Sequence, residues 1–378
     1  MTINLKNVPT PCYVAYEEKL KENLAKIDEI QKRTGCKVLL ALKAFAMFSV
    51  FNLYKGKIVG TCVSSLNEAK LGKEKFGGEV HLYSAAYRED EIDQLVRYSD
   101  KIIFNSFSQW NKFREKVKKS NNNIDCGIRV NPEYSKVKIE LYDPCCKGSR
   151  LGVTLAEFHE KELEGINGLH FHNHCGNNSD VLEETLKVVG EKFGDIIKKM
   201  KWVNFGGGQS ITEPGYDIDR LCNNISAFKK EYGVEVILEP GEAFAYDAGV
   251  LVTSVLDIMH NDIDIAILDC SAVAHMPDVV EMPYKPIITG ASKEKEFPYV
   301  YRLAGPTCLA GDIIGEYSFP QPLKLGDKIV LEDMLQYTMV KNNTFNGINL
   351  PSIAIHSEEK GLNVIKTFTY EDYKSRLS

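Results

Sequence analysis

Residues 202–241 read WVNFGGGQSITEPGYDIDRLCNNISAFKKEYGVEVILEPG. An apolar run, Trp202–Gly208, ends in three glycines, and a second, Glu235–Gly241, ends in Glu-Pro-Gly. The segment between them is long enough for a helix, and two strands joined by such a crossover run parallel. The same alternation extends towards the N-terminus. Further β-rich runs fall at Val38–Lys43, Ile58–Ser65, Glu79–Ala85, Lys101–Ser106, Cys126–Pro132 and Gly168–Cys175. Charged stretches with helical spacing lie among them, at Glu17–Arg33, Leu66–Lys75, Glu89–Tyr98 and Val181–Met200. Eight such runs predict a (β/α)8 barrel. An open doubly wound sheet is the alternative.

After Gly241 the pattern changes. The runs Val250–Met259, Ile263–Asp269, Lys328–Leu331 and Leu362–Thr367 sit between turns punctuated by Pro283, Pro286, Pro298, Pro320 and Pro322. This is the signature of an all-β domain. The expected division is a barrel over residues 13–243 and a β-sheet domain from 1–12 and 244–378.

Composition fits that division. The chain has 378 residues, more than one hydrophobic core usually supports. Hydrophobic residues are 44% and charged residues 26%, ordinary for a globular protein. A net charge of −6 argues against binding nucleic-acid backbone, which needs a basic stripe. No run approaches the roughly 20 apolar residues of a membrane span. The first residues, MTINLKNVPTP, lack the apolar core of a secretory signal. Ten scattered cysteines without a C-x-x-C pair fit free thiols, so the cytoplasm is the expected compartment.

In parallel barrels the chemistry sits where strands end at their C-termini. Lys43 ends the first run, between Val38-Leu-Leu-Ala-Leu42 and Ala44-Phe-Ala46. Burial there would lower its pKa and make the amine nucleophilic; a lysine snorkelling from a strand end is the plainer reading. The sixth run, Gly168-Leu-His-Phe-His-Asn-His-Cys175, puts His170, His172 and His174 on one face by strand alternation. That face could hold a metal, lie against the ring of a cofactor, or form a polar cluster at the barrel mouth. Gly206-Gly207-Gly208 would let backbone N–H groups approach a phosphate, or would simply turn the chain. Glu239 ends the eighth run and could pair with a ring nitrogen or cap the next segment.

These segments, with Gly305-Pro-Thr-Cys308 and Tyr337 to Phe345-Asn346-Gly347, resemble in type and order the fold-type III pyridoxal-phosphate (PLP) enzymes. That group includes alanine racemase, ornithine decarboxylase and diaminopimelate decarboxylase. The resemblance covers nearly the whole chain and implies an alanine racemase-like fold, a (β/α)8 TIM-type barrel with a C-terminal all-β domain. It implies that Lys43 carries PLP covalently, that His172 stacks on the ring and that Glu239 pairs with the pyridinium nitrogen. Gly207, Gly208 and Gly241 would offer N–H groups to the phosphate, with the Tyr337 hydroxyl beside them. Cys308 would protonate the substrate α-carbon in the site of a partner subunit, which implies a homodimer.

Within the group, three details resemble the carboxynorspermidine (carboxyspermidine) decarboxylases. Glu242 follows Glu-Pro-Gly where the ornithine and diaminopimelate enzymes have arginine. Cys308 continues as Leu-Ala-Gly-Asp312, and His275-Met-Pro-Asp278 is followed by Glu281-Met-Pro-Tyr284. The implied substrate is a cationic carboxylated triamine. Asp278, Glu281 and Asp312 are the expected ligands of its ammonium groups, with Asp269 behind them. Glu242 would bind a substrate amine or a neighbouring side chain. The competing readings are decarboxylation of diaminopimelate, ornithine or lysine on the same fold, a zinc-dependent barrel hydrolase using His170 and His172, and a non-catalytic relative that binds a partner protein.

Overall fold

In the computed structural model, which describes residues 4–120 and 123–378, the eight expected strands close into a parallel barrel. Strand β1 (Cys12–Tyr16) and helix α1 (Glu17–Thr34) lead into it. The barrel runs β2 (Lys37–Ala41), β3 (Gly60–Val63), α2 (Leu66–Leu71), β4 (Glu79–Tyr83), α3 (Ile92–Tyr98), β5 (Lys101–Phe104), α4 (Phe107–Lys119) and β6 (Asp125–Arg129). It continues through β7 (Ile166–His170), α5 (Ser179–Ile197), β8 (Trp202–Asn204), α6 (Ile218–Tyr232), β9 (Glu235–Leu238) and the single turn α7 (Glu242–Ala245). Closure comes from β2 pairing with β9, Lys37 opposite Ile237 and Val38 opposite Leu238.

Each strand stops two to five residues earlier than the sequence pattern suggested, because the last residues of each run lie in loops at the barrel mouth. Two crossovers lack an α-helix: β2 to β3 has only a 3-10 turn at Phe48–Leu53, and β6 to β7 only three short 3-10 turns. The amphipathic helices dock as their spacing requires; α4 buries Phe107, Trp110, Phe113 and Val117, which recur at helical intervals.

The opposite end of the barrel is closed by the first residues of its strands. Lys37 pairs with Glu79 at 3.5 Å and with Glu235 at 3.1 Å, and His81 Nε2 lies 2.8 Å from Glu79. Lys101 pairs with Asp125 at 2.8 Å, and Trp202 Nε1 donates to the same Asp125 oxygen at 2.8 Å. Asp125→Ala strands both a mostly buried cation and an indole N–H. We expect it to cost about 2–3 kcal/mol, read as a lower urea midpoint at unchanged m value.

The second unit is built on a mixed sheet. Its strands are β10 (Gly249–Asn261), β11 (Ile263–Leu268), β12 (Tyr299–Ala304), β13 (Ile313–Phe319), β14 (Lys328–Glu332), β15 (Ser352–Ser357) and β16 (Gly361–Lys366). The order is β13-β12-β11-β10-β1-β15-β16, with β14 also paired to β10. The helical pieces are α8 (Ala272–His275), α9 (Asp278–Glu281), α10 (Thr338–Lys341) and α11 (Tyr370–Lys374).

Strand β1 sits in this sheet, antiparallel to β10 and parallel to β15, with Cys12, Val14, Val250, Val252 and Ala354 in its core. The chain accordingly divides into Asn23–Phe244 and the remaining described residues, up to Glu22 and from Ala245. The boundary expected at residue 13 therefore moves to Glu22/Asn23, because β1 finds its partners in the sheet. Residues 1–3 of the expected division lie outside the described residues. Among the described residues no helix is long and apolar enough to cross a membrane.

Candidate active site

In the barrel unit, Lys43 lies two residues beyond the end of β2, in a turn where Leu42 N–H bonds Cys62 O at 3.0 Å and Ala44 N–H bonds Ala41 O at 3.1 Å. Leu42, Ala44 and Phe45 are buried, but the turn sends the Lys43 side chain out, and it is exposed. The expectation that flanking apolar residues would bury this amine is thereby corrected. On the neighbouring β3, Ser65 Oγ accepts the Glu68 N–H at 3.2 Å and Glu68 Oε2 accepts the Ser64 N–H at 2.7 Å, a reciprocal cap on α2. Burial pushes the Glu68 carboxyl up, while the Ser64 N–H and the charge of Lys43 pull it back. The sequence reading passed over Glu68, although the Ser-x-x-Glu spacing after a β-run signalled it.

Across the mouth, Glu239 is buried, 5% exposed, one residue past β9. Asn204 Nδ2 donates to its Oε1 at 2.6 Å, and His170 Nε2 lies 3.4 Å from its Oε2. Burial pushes the carboxyl up, but His170, Asn204 and His81 outweigh it and hold Glu239 down to about 2. Burial also lowers the pKa of His170, which weakens the charge that His170 could lend. The direction is nonetheless firm: the short Asn204 bond alone favours an ionised Glu239.

His170, His172 and His174 do not share a strand face. The last rung of β7 is Phe171 N–H to Asn204 O at 3.0 Å, after which the chain leaves the sheet. His170 turns to Glu239. His172 Nδ1 accepts the Gly207 N–H at 2.9 Å, which puts the proton of a neutral ring on Nε2. Burial first, then the charges of Lys43 and Arg129, holds His172 well below the ordinary histidine value. His174 is buried separately, and burial lowers it to about 4. Among the described residues no three His, Cys, Asp or Glu side chains gather around a common metal position.

Arg129, the last residue of β6, was also missed, because one basic residue at a strand end looks ordinary. It is 4% exposed, lies 4.7 Å from the centre of the Tyr83 ring, and donates to His172 O at 2.9 Å. Among the described residues it has no carboxylate partner. A buried guanidinium that answers no protein anion marks a place where negative charge is expected.

The glycines divide in their roles. Gly207 was expected to face a phosphate, but His172 takes its N–H, so that expectation is corrected. Gly208 has φ +83°, and a Cβ there would lie 1.9 Å from His174 O. A Cβ at Gly241 would meet Ala44 Cβ at 2.5 Å. Neither the Gly208 nor the Gly241 N–H has an acceptor among the described residues. Two unanswered N–H groups, an ionised buried carboxylate and an exposed lysine amine are the groups that PLP would need: donors for its phosphate, an anion for its ring nitrogen and an amine for its carbonyl carbon. Glu242 follows directly in the first turn of α7, and both it and Lys43 act electrostatically on Cys175.

In the sheet unit the expected residues gather around α8, α9 and α10. Tyr337 has φ +55° and ψ −46°, and Thr338 N–H bonds Gln336 O at 2.5 Å. This is a γ-turn of the strained hand, a conformation retained where the surroundings over-determine it. The Lys341 ammonium bonds both Asp278 and Glu281, so those carboxylates are shared with a lysine of their own unit. Asp312 is 3% exposed and both its oxygens are filled. Oδ1 accepts from Ala272 N at 2.7 Å and Val273 N at 3.4 Å; Oδ2 accepts from Ser271 Oγ at 2.9 Å, Thr307 N at 3.3 Å and Thr307 Oγ1 at 2.7 Å. With no lone pair left for a substrate ammonium, Asp312 is removed from the expected ligands. Asp269 is bonded through one oxygen only: Oδ1 accepts from Thr253 Oγ1 at 2.6 Å and Ser254 N at 2.9 Å. Cys308 is exposed, and its N–H bonds Asn346 Oδ1 at 2.8 Å.

Known proteins resemble this chain over most of its length. A family model described as "Pyridoxal-dependent decarboxylase, C-terminal sheet domain" matches residues 48–334. A carboxynorspermidine/carboxyspermidine decarboxylase of Campylobacter jejuni is 44% identical over 98% of this chain and 99% of its own. A carboxyaminopropylagmatine decarboxylase of Synechocystis is 42% identical over 99% of this chain and 96% of its own. The crystal structure of carboxynorspermidine decarboxylase from Campylobacter jejuni, complexed with norspermidine, superposes with a TM-score of 0.91 at 43% identity, covering 98% of this chain and 100% of that one. The chain is therefore an enzyme of the pyridoxal-dependent decarboxylase family, on the branch of the carboxynorspermidine/carboxyspermidine decarboxylases.

Proposed function

We propose that this enzyme removes CO2 from carboxynorspermidine or carboxyspermidine to give norspermidine or spermidine. The observation that carries the reading is Glu239, a buried carboxylate held ionised by Asn204 among the residues that end the barrel strands. PLP, when bound, supplies the electron sink for the pair released as the carboxylate leaves. Glu239 keeps a proton on the pyridine nitrogen. The neutral His172 ring, fixed by Gly207, would lie against the cofactor, and the Gly208 and Gly241 N–H groups would hold the phosphate. Lys43 would hold the cofactor through its amine, and Cys308 would return a proton to the substrate α-carbon. Asp278 and Glu281 would supply negative charge for the distal ammonium groups, exchanging Lys341 for substrate.

The relative that acts on carboxyaminopropylagmatine favours a second substrate, with a guanidinium in place of an ammonium. The test is CO2 release from carboxynorspermidine, carboxyspermidine, carboxyaminopropylagmatine, diaminopimelate, ornithine and lysine. We expect release from the carboxy-triamines with the highest kcat/KM. The two differ by one methylene, worth about 1–3 kcal/mol in a pocket, so a ratio of roughly 10–200 between them is the ceiling. Release only from diaminopimelate, ornithine or lysine would leave the fold and Lys43 in place but overturn the acidic pocket.

The working form is a homodimer in which Cys308 of one subunit serves the Lys43 site of the other. Its support is an exposed Cys308. Mixing the impaired Lys43→Ala and Cys308→Ala proteins should raise activity above that of either alone, through the intact site of each mixed dimer; no gain after subunit exchange speaks against shared sites. A reducing compartment, the cytoplasm, suits ten cysteines that are all free thiols.

A further inference from the structure

We infer that Asp312 is a positioning residue for Cys308: it fixes the backbone of the Gly305–Asp312 loop so that the thiol is presented in one geometry. The loop closes on itself through Gly305 N–H to Asp312 O at 2.8 Å and Asp312 N–H to Leu309 O at 2.9 Å. The Asp312 carboxylate then folds back under the loop. It takes both the N–H and the hydroxyl of Thr307, the residue before Cys308. Its other bonds go to Ser271, Ala272 and Val273 at the start of α8, so one buried side chain ties the thiol's loop to a second segment.

Two sequence features acquire a reason here. A Cβ on Gly305 would sit 2.3 Å from Asp312 Oδ2, so only glycine lets the carboxylate lie against the loop. Asn346, at φ +57°, offers its Oδ1 to the Cys308 N–H at 2.8 Å. Asn343 fastens the same stretch to the α8 segment, through its N–H to Ala274 O at 2.8 Å and its Nδ2 to Val273 O at 2.9 Å. The peptide before the thiol is thus held by Asp312 and the peptide at the thiol by Asn346, while the sulfur itself is left exposed. Positioning through Thr307 should affect the proton-delivery step and leave substrate affinity alone.

This inference rests on Cys308 being the proton donor. The test is steady-state kinetics of the PLP-loaded enzyme with carboxynorspermidine, on Asp312→Asn, Cys308→Ala and the double variant. In Asp312→Asn the amide NH2 must face N–H donors on one side, Thr307 or the Ala272 and Val273 pair, and we expect kcat to fall about tenfold or more with KM unchanged. In the Cys308→Ala background the same change should cost nothing further, since the two act as one unit. Thr307→Val, a milder variant that keeps the loop's shape, should lower kcat by about threefold to tenfold in the same pattern. A purely structural Asp312 would lower kcat in both backgrounds, and a substrate ligand would raise KM instead; either result overturns the inference. A Cys308→Ala enzyme with full kcat removes the proton-donor reading, whereas a slow Cys308→Ala beside an unimpaired Asp312→Asn removes only this one.

Discussion

Lys43→Ala is expected to lose decarboxylase activity by a factor on the order of 10³ or more while the protein remains folded. Arg129, the basic residue that ends β6, is a guanidinium, and guanidinium stays protonated, so it cannot take this role. The same exposure that corrects the expectation of a buried lysine makes the experiment clean. Lys43 makes no hydrogen bond or ion pair among the described residues, so truncating it breaks none and removes only its charge from neighbours such as Glu68 and His172. The thermal midpoint should change little, as for surface substitutions within about 0.5 kcal/mol. Borohydride reduction of the loaded wild type should fix the cofactor's mass on the peptide that carries Lys43, and on no peptide of the variant. A labelled peptide elsewhere, or retained turnover, would sink the assignment.

Glu239→Gln is the second large effect, expected to lower kcat by about 10²–10³ at nearly unchanged KM. The substitution preserves shape and the acceptor for Asn204 Nδ2, 2.6 Å away, and removes the charge alone. The loss should therefore appear in the step that develops charge, and substrate binding should be spared. Wild-type activity should show no acid limb from this residue near neutrality, because Glu239 is held down to about 2. The effect on stability has a definite sign. A carboxyl depressed in the folded state stabilises the fold above its unfolded value of 4.5 and loses that contribution as pH falls through about 2. Urea midpoints should thus fall between these limits in the wild type by an increment that Glu239→Gln lacks. Parallel pH profiles for the two proteins would show that Glu239 is not depressed.

The two variants also separate the cofactor's attachment from its electronics. Lys43→Ala should abolish covalent attachment, while Glu239→Gln should keep the label on Lys43 and lose rate. If both lost the label, Glu239 would be acting on cofactor binding, and its place at the ring nitrogen would need revision.

The order of chemistry was written in the sequence. Lys43, the glycine run 206–208 and Glu239 each follow a β-run, and the C-terminal ends of parallel barrel strands face one way whatever their exact length. Periodicity likewise settled the eight strands and the change to a sheet after Gly241, because alternation and crossover length are local properties of a chain. Local signals do not say where a strand ends. The run expected as a strand continues past the last rung of β7 at Phe171, but strand alternation carried no further than His170, and His172 is placed by Gly207 instead. Nor do they say which partner a strand takes: β1 precedes the barrel in sequence but is satisfied by β10 and β15.

The side chains the sequence misjudged are those whose meaning depends on distant donors. Asp312 reads as an acidic ligand until Thr307, Ser271 and Ala272 fill it, and Asp278 and Glu281 read as free until Lys341 reaches them. Arg129 reads as a strand-end cation until Tyr83 and His172 close over it. By itself the sequence determined which residue types stand at which strand ends, because that follows from periods of two and of 3.6 along the chain. Only the tertiary structure decided which of their polar atoms remain open, because a hydrogen bond is filled by whatever donor folding brings within about 3 Å, from any place in the sequence.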